Sequence, residues 1–541
     1  MAKKTKSFFT NILLALCLIC LLSGILLPKK ALAEEKTKKV TVFSWEDYID
    51  EDLLDEFTEE TGIEIDYFTF ATNEEMYNEV TKNPKACDLL CPSEYMIMKM
   101  RSEDLIKEYE IPEVYNENAS PYIKQMFDEL GMNTENNKTY AIGYMWGTMG
   151  MIYNADKISA EDLNRWSAML REEYKGKITV KDSVRDTYIF ALGIVYEQEL
   201  LEAKSLGEIE YRAKLNEILN RTDNQTIAKV QEVLVDLKDN LYGFEVDSGK
   251  SDILTGKIDI NFAWSGDAVY SMDEGDEAGV NLAYAVPEEA SNVWFDGWVM
   301  PKEANTEYAT EFLNFISKPE NAVRNMEYIG YTSCVAGDAI FENAVDWYGA
   351  EYLPEVISQE ELDELVLEKP SVAKEYVPYD GGFALKDTYG ELVFDEDRVY
   401  LKTFELDENG THINFGEEEV YKVDLKYFFD PTCTDDSYVI YSLETGRQLY
   451  AQYSDEDTIK RCVVMQNFDN ETMEKVNEMW STVKLITLPM WAIILMTTII
   501  ALGLVALVIF GLKDKLFDKK IPDADLVEQK HGMKVIKKVQ L

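Results

Sequence analysis

A chain of 541 residues with 53 Lys+Arg against 101 Asp+Glu, a formal net charge of −48, is too long for one small core and too acidic to hold a polyanion. So acidic a surface argues against a nucleic-acid partner and fits a cationic ligand, whose encounter it would steer; the alternative, that acidity only keeps an exported protein soluble, holds for most of these carboxylates. The chain has 2 histidines, His412 in an acidic, turn-rich stretch and His531 near the C-terminus, which excludes a Ser-His-Asp triad, a His-paired cysteine nucleophile and an HExxH zinc site.

In chain order, Lys3, Lys4 and Lys6 precede an uncharged run from Ser7 to Pro28, and Ala31-Leu32-Ala33 offers a small-residue cleavage site. Residues 1–33 read as a signal peptide. The apolar run exceeds the usual h-region, so an uncleaved anchor is the alternative. Neither Cys17 nor Cys20 follows the small residue of a lipoprotein cleavage box.

Val40, Val42 and Phe43 then form a β-rich run, which breaks at Ser44-Trp45-Glu46-Asp47-Tyr48 before Leu53, Leu54 and Phe57 take up helical spacing. In an open α/β sheet ligands bind beyond the carboxyl ends of the strands, which puts Trp45, Glu46, Asp47 and Tyr48 where a site is expected. Two carboxylates and two aromatic faces suit an organic cation. The alternative is a helix N-cap at Asp47 or Asp50 with Trp45 in the core.

Strands and helices keep alternating through Ile63–Phe70, Glu74–Thr81 and the apolar Cys87–Cys91, which ends at Pro92-Ser93-Glu94-Tyr95. That order implies a parallel α/β sheet. Tyr140–Gly150, glycine-rich and apolar, reads as the crossing into a second lobe, or as a buried strand bent at its glycines. In the second region, strand Lys177–Lys181 leads into Asp182-Ser183-Val184-Arg185-Asp186, and Asp259–Ala263 into Trp264-Ser265-Gly266-Asp267. Both loops open helices, so capping by Asp182, Ser183 or Asp267 competes with ligand binding. Asn292–Pro301 reads as a return crossing, followed by helix Thr306–Ser317 and a turn at Tyr328–Tyr331.

From Ala350 to Ser437 the text becomes β-rich and acid-punctuated, with Asn409-Gly410 as a hairpin signal. Asp457–Lys484 ends in an amphipathic helix. Leu485–Leu512, without a charged residue, is long enough to cross a bilayer, and the lysine excess after it places the tail in the cytoplasm. Residues 34–484 are then expected outside the cell. Cys87, Cys91, Cys334, Cys433 and Cys462 show no disulfide-framework or zinc spacing, so mostly buried free thiols are expected and no metal or cofactor. A carboxylate-only glycosidase survives composition, but acids are too abundant to single out a pair.

The stretches Val40–Phe68, ATNEEMY (Ala71–Tyr77) and CDLLCPSEYMIMKM (Cys87–Met100) resemble the spermidine/putrescine-binding proteins of polyamine ABC transporters, and the similarity covers about 38–340 and 450–484. The resemblance implies an α/β, two-lobed periplasmic-binding-protein (Venus flytrap) fold that clamps its ligand between lobes and is not an enzyme. Here it carries a β-rich insertion and one C-terminal transmembrane helix. The implied organisation is 38–150 with 294–335 as lobe 1, and 151–293 with 336–349 and 440–484 as lobe 2. The insertion is then 350–439, the membrane helix 485–512 and the cytoplasmic tail 513–541.

Position by position, the resemblance implies ligand contacts from Trp45, Asp47 and Tyr48, with Glu46 where a threonine is common, and from Ser93 and Tyr95. It implies an amine-receiving acid at Asp186, rings at Trp264, Trp294 and Tyr331, the main amine anchor at Asp296, and a contact from Gln466. Ser183 stands where a second acid is common, with Asp182 adjacent. The implied partners are a polyamine and the permease and ATPase subunits of an ABC transporter, with a monomeric ectodomain held at the cell membrane. The alternatives are a flytrap for another cationic solute, a sensor, a membrane-anchored hydrolase and an adhesion or scaffold protein.

Overall fold

The computed structural model describes residues 38–395, 398–443, 446–485, 498 and 505. Its first layer is β1 (Lys39–Trp45), α1 (Asp52–Thr61), β2 (Glu64–Phe70), α2 (Asn73–Lys82), β3 (Leu89–Leu90) and α3 (Glu94–Ser102). β1 pairs in parallel with both β2 and β3, so the order is β2-β1-β3, with buried Val40 and Val42 alternating along the central strand. α1 buries Leu53 and Phe57 and stops at Gly62, whose φ of 68° lets its N–H reach the Thr58 carbonyl. Glu51 occupies the cap of α1 without a side-chain bond, and of the two acids expected to accept a backbone N–H there it is Asp50 that does so. Asp50 accepts the Asp52 N–H at 3.1 Å, while Asp47 takes a turn conformation with φ 50°.

β4 (Ile142–Asn154) is buried at all 13 positions. It is followed by β5 (Ile178–Lys181), α4 (Val184–Val195), β6 (Gly243–Glu245), β7 (Ile260–Trp264), α5 (Ser265–Ala278), β8 (Leu282–Ala285) and β9 (Ser291–Trp298). The first part of β4 pairs antiparallel with β9, and its last part with β7 and β8. β9 leads into Val299, which bridges Leu90 at the end of β3. The two apolar segments read as crossings are thus hydrogen-bonded to each other, an antiparallel pair from which the α/β layers of a two-lobed fold spread. α6 (Thr306–Ile316) and α7 (Pro319–Ile329) then return to the first layer, Phe312 and Phe315 meeting Phe57 edge-on.

The segment after Ala350 contains a helix as well as strands. α8 (Gln359–Glu368) starts on a capping box in which Ser358 and Glu361 satisfy each other's backbone N–H, the S-x-x-E signature of a helix start. The strands are β10 (Tyr376–Tyr379), β11 (Gly382–Leu385), β12 (Thr388–Asp395), β13 (Arg398–Leu406), β14 (His412–Glu419), β15 (Tyr421–Asp424) and β16 (Val439–Ser442). β12-β13-β14 form a meander whose last turn holds Asn409-Gly410, with Asp407 accepting the Asn409 and Thr411 N–H groups. A short β17 (Cys462–Val463) pairs with β9 and completes the order β6-β5-β7-β4-β9-β17, before α9 (Asn470–Lys484).

Cys87, Cys91, Cys334 and Cys462 are buried free thiols, and Cys433 is half-buried. Among the described residues no helix is long and apolar enough to cross a membrane. The expected span 485–512 lies almost wholly outside the described residues, as do the signal peptide and the tail.

Candidate functional site

Asp296 lies on β9 at the point where its register against β4 shifts, between Asp296 and Gly297. A bulge there turns the side chain out of the ladder. The carboxylate is buried and accepts two hydroxyl bonds: Tyr48 Oη at 2.7 Å on Oδ2 and Ser93 Oγ at 2.7 Å on Oδ1. Burial pushes its pKa up to about 6, the two hydroxyls working against the shift and the charge of Asp186 adding to it. The donors are themselves held. Tyr144 Oη donates to the Tyr48 carbonyl at 2.8 Å, and Asn73 Nδ2 reaches Ser93 Oγ at 3.1 Å and Tyr95 Oη at 3.0 Å.

The facing wall comes from the second lobe. Asp186, in the first turn of α4, is buried, and desolvation raises its pKa against the pull of Ser183, Arg185, Lys181 and Trp264. Beside it Arg185 is also buried; its Nη2 donates to the Gln466 carbonyl at 2.6 Å and its guanidinium covers the rings of Phe468 at 3.5 Å and Tyr95 at 4.9 Å. Lys181, fully buried at the end of β5, pairs with Asp267 at 2.8 Å and Glu245 at 3.2 Å and lies over the Trp264 ring at 4.6 Å.

Tyr331 closes the gap. Its hydroxyl donates to Asp267 at 3.0 Å, and its ring meets Tyr48 at 5.8 Å and Trp294 at 5.4 Å. The ring also lies so close to Gly266 that a Cβ there would overlap it. These contacts describe a closed cleft.

The structure therefore gathers Tyr48, Ser93, Tyr95, Asp186, Trp264, Trp294, Asp296 and Tyr331. It does not draw in every residue on which the resemblance placed a contact. Glu46, Asp47, Asp182 and Gln466 have exposed side chains, and Gln466 enters only through its backbone carbonyl. Trp45 packs on Phe70 at 4.7 Å. The capping alternative and the site coexist on α4: Ser183 caps the helix that presents Asp186. Asp267 does not cap α5; it holds Lys181 instead.

Sequence reasoning missed Glu94, Lys181, Arg185 and Asp267 as a connected charge system. Glu94 and Arg185 stood inside loops already singled out, so adjacency was the available signal. A cavity of about 1370 Å³ lies elsewhere, between β8, β15 and the helix Gly446–Gln452, and none of the gathered residues lines it.

Residues 52–339 match the family described as bacterial extracellular solute-binding protein. The spermidine/putrescine-binding periplasmic protein of Escherichia coli (strain K12) is 29% identical over 292 residues, 53% of this chain and 75% of that protein. The putrescine-binding periplasmic protein PotF of the same organism is 26% identical over 317 residues, covering 56% and 78%. The crystal structure of the spermidine/putrescine ABC transporter substrate-binding protein PotD from Streptococcus pneumoniae superposes with a TM-score of 0.50 at 25% identity, covering 83% of this chain and 98% of that one.

Proposed function

The chain belongs to the bacterial extracellular solute-binding proteins, and from that premise we propose that it captures a polyamine of the spermidine/putrescine class and delivers it to an ABC transporter permease. Its relatives are solute-binding proteins rather than enzymes. The observation that carries the reading is Asp296: a buried carboxylate, oriented by Tyr48 and Ser93 at 2.7 Å each, in a cleft walled by Trp294 and Tyr331. A carboxylate held out of water gains most when an ammonium replaces the lost hydration, and aromatic faces serve the methylenes and the charge together.

Closure is coupled to the guest. Without a cation, Asp296 and Asp186 repel across the cleft and each must take up a proton or return to water. With one, both are satisfied, so the closed form is the one the ligand selects. Titration calorimetry of the full chain with putrescine and spermidine tests the reading; stoichiometric binding supports it, and absence of heat with both amines sinks it.

Residues 34–484 are assigned to the outside of the cell, with the lobes and insertion divided as the resemblance implies, anchored by 485–512 and followed by a cytoplasmic tail. The uncharged run and the lysine-rich segment after it support this placement. Protease treatment of intact cells is expected to remove the lobes and spare the tail; a protected ectodomain would refute it.

A further inference from the structure

Glu94 opens α3 between Ser93 and Tyr95, and none of its surface reaches solvent. Its Oε2 accepts the Phe295 N–H at 3.3 Å, whereas its Oε1 is buried without a hydrogen-bond partner. Its electrostatic neighbours are the carboxylates of Asp296 on β9 and Asp186 on α4. Arg185 and Tyr95 complete that surrounding, and Arg185 also leaves Nε and Nη1 buried without acceptors. Lys181 also acts on Asp186, but its own two acids, Asp267 at 2.8 Å and Glu245 at 3.2 Å, outnumber it and leave no positive charge to spare. The fully shielded part of the cleft thus sets the buried carboxylates Glu94, Asp186 and Asp296 against the guanidinium of Arg185, while Glu74, half-buried, also acts on Arg185 and accepts the Tyr95 hydroxyl at 3.3 Å.

Resting on the polyamine reading, we propose that Glu94 is a third ligand-binding carboxylate, its Oε1 receiving one ammonium while Asp296 receives another. The guest is a diamine, whose two charges bring these three buried carboxylates, with Arg185, to neutrality. An unpaired buried carboxylate is costly, so an orphan oxygen beside two other acids marks a place that a cation fills. Burial and these neighbours hold the Glu94 carboxyl well above its ordinary range, so ammonium binding displaces a proton from the cluster.

The alternative is structural: Glu94 serves only backbone N–H groups, its own and that of Phe295. Glu94→Gln keeps an oxygen for those N–H groups and removes the charge. Calorimetry on the full chain, with putrescine, spermidine and 1-aminobutane as probes, separates the two. In the wild type putrescine is expected to bind more tightly than spermidine. In the variant putrescine weakens by about 30-fold or more, as for loss of one partner of a buried charge pair, while 1-aminobutane stays within about 3-fold. Proton release on putrescine binding, read in two buffers of different ionisation heat, falls in the variant, and the ligand-free melting temperature does not. Unchanged putrescine affinity, equal loss for putrescine and 1-aminobutane, undiminished proton release, or a wild type that prefers spermidine would each overturn the proposal while leaving polyamine binding intact. A wild type that binds no amine overturns the underlying reading instead.

Discussion

Two acidic regions of this chain use the same side chains to opposite ends. In the cleft, Glu94, Asp186 and Asp296 come from three separate elements, are buried, and hold their protons more tightly than in water. In the β12–β14 meander, Glu417, Glu418 and Glu419 are consecutive on β14 and all exposed. The Arg398–Glu417 pair at 2.8 Å has side chains 56% and 55% exposed. A carboxylate becomes an instrument of recognition when water is removed and nothing fully replaces it; in solvent it contributes mainly solubility. The net charge of −48 is therefore mostly uninformative about the site, although it is what first suggested a cationic guest.

The sharpest way to break this contrast is Asp296→Asn. The amide keeps the shape and can still meet Tyr48 and Ser93, so the ligand-free chain should melt within a few degrees of wild type. Putrescine affinity, read by calorimetry, is expected to fall by 100-fold or more, about 3 kcal/mol, because the ammonium loses its desolvated counter-charge. Wild-type affinity in the variant would remove Asp296 as the anchor.

The pH dependence comes next in size. A folded-state value of about 6 lies above the ordinary 3.8, so the folded, ligand-free chain binds this proton more tightly than the unfolded chain. That contribution is fully present below about pH 4 and is lost as pH rises through 6, amounting to about 3 kcal/mol. Ligand affinity runs the other way, rising between pH 5 and 7.5 as the carboxylate ionises. The difference between wild type and Asp296→Asn in denaturant melts across that range isolates the group from the other acids; parallel curves would contradict it. Smaller again is Gly266→Ala, whose added methyl meets the Tyr331 ring and disfavours closure. Overpacking of this kind costs about 1–3 kcal/mol, so an affinity loss of about 10-fold is expected with little change in the unliganded melt.

The contrast also separates what could be read in the sequence from what could not. β4 and β9 were legible as long apolar segments with glycines, but whether Tyr140–Gly150 was a crossing or a buried strand was not, and the structure makes it part of a strand buried at all 13 positions. Strand ends that open helices, at Ser93 and at Ser183–Asp186, were legible from the local pattern. Burial of charge was not legible. Lys181 is tolerated inside only because Glu245 and Asp267, from other strands and helices, converge on it. Glu94 looks like any first-turn acid until Asp296 is seen opposite. Glu46 and Asp47 show the converse, since Asp47 at φ 50° turns the loop so that both acids face solvent. The bulge at Asp296, which aims the anchor, depends on register with a strand more than a hundred residues earlier.

On the meander's side of the comparison, the small core of Val377, Ala384, Tyr389, Phe404 and Leu406 is expected to carry its stability. Phe404→Ala, which also removes the ring stacked on His412 at 3.8 Å, should destabilise this element by about 3 kcal/mol, read as local hydrogen exchange in β12 to β14. Putrescine affinity should stay within about 2-fold of wild type. The smallest effect is assigned to Glu417→Gln, the same chemical change as Glu94→Gln carried out in water. Its Arg398 partner is half-exposed and loses only a screened contact, so neither the melting temperature nor the putrescine affinity should move beyond measurement error at physiological salt. A clear loss of affinity in Glu417→Gln would mean that this sheet shapes the field at the cleft, and that its acids are as functional as the buried ones.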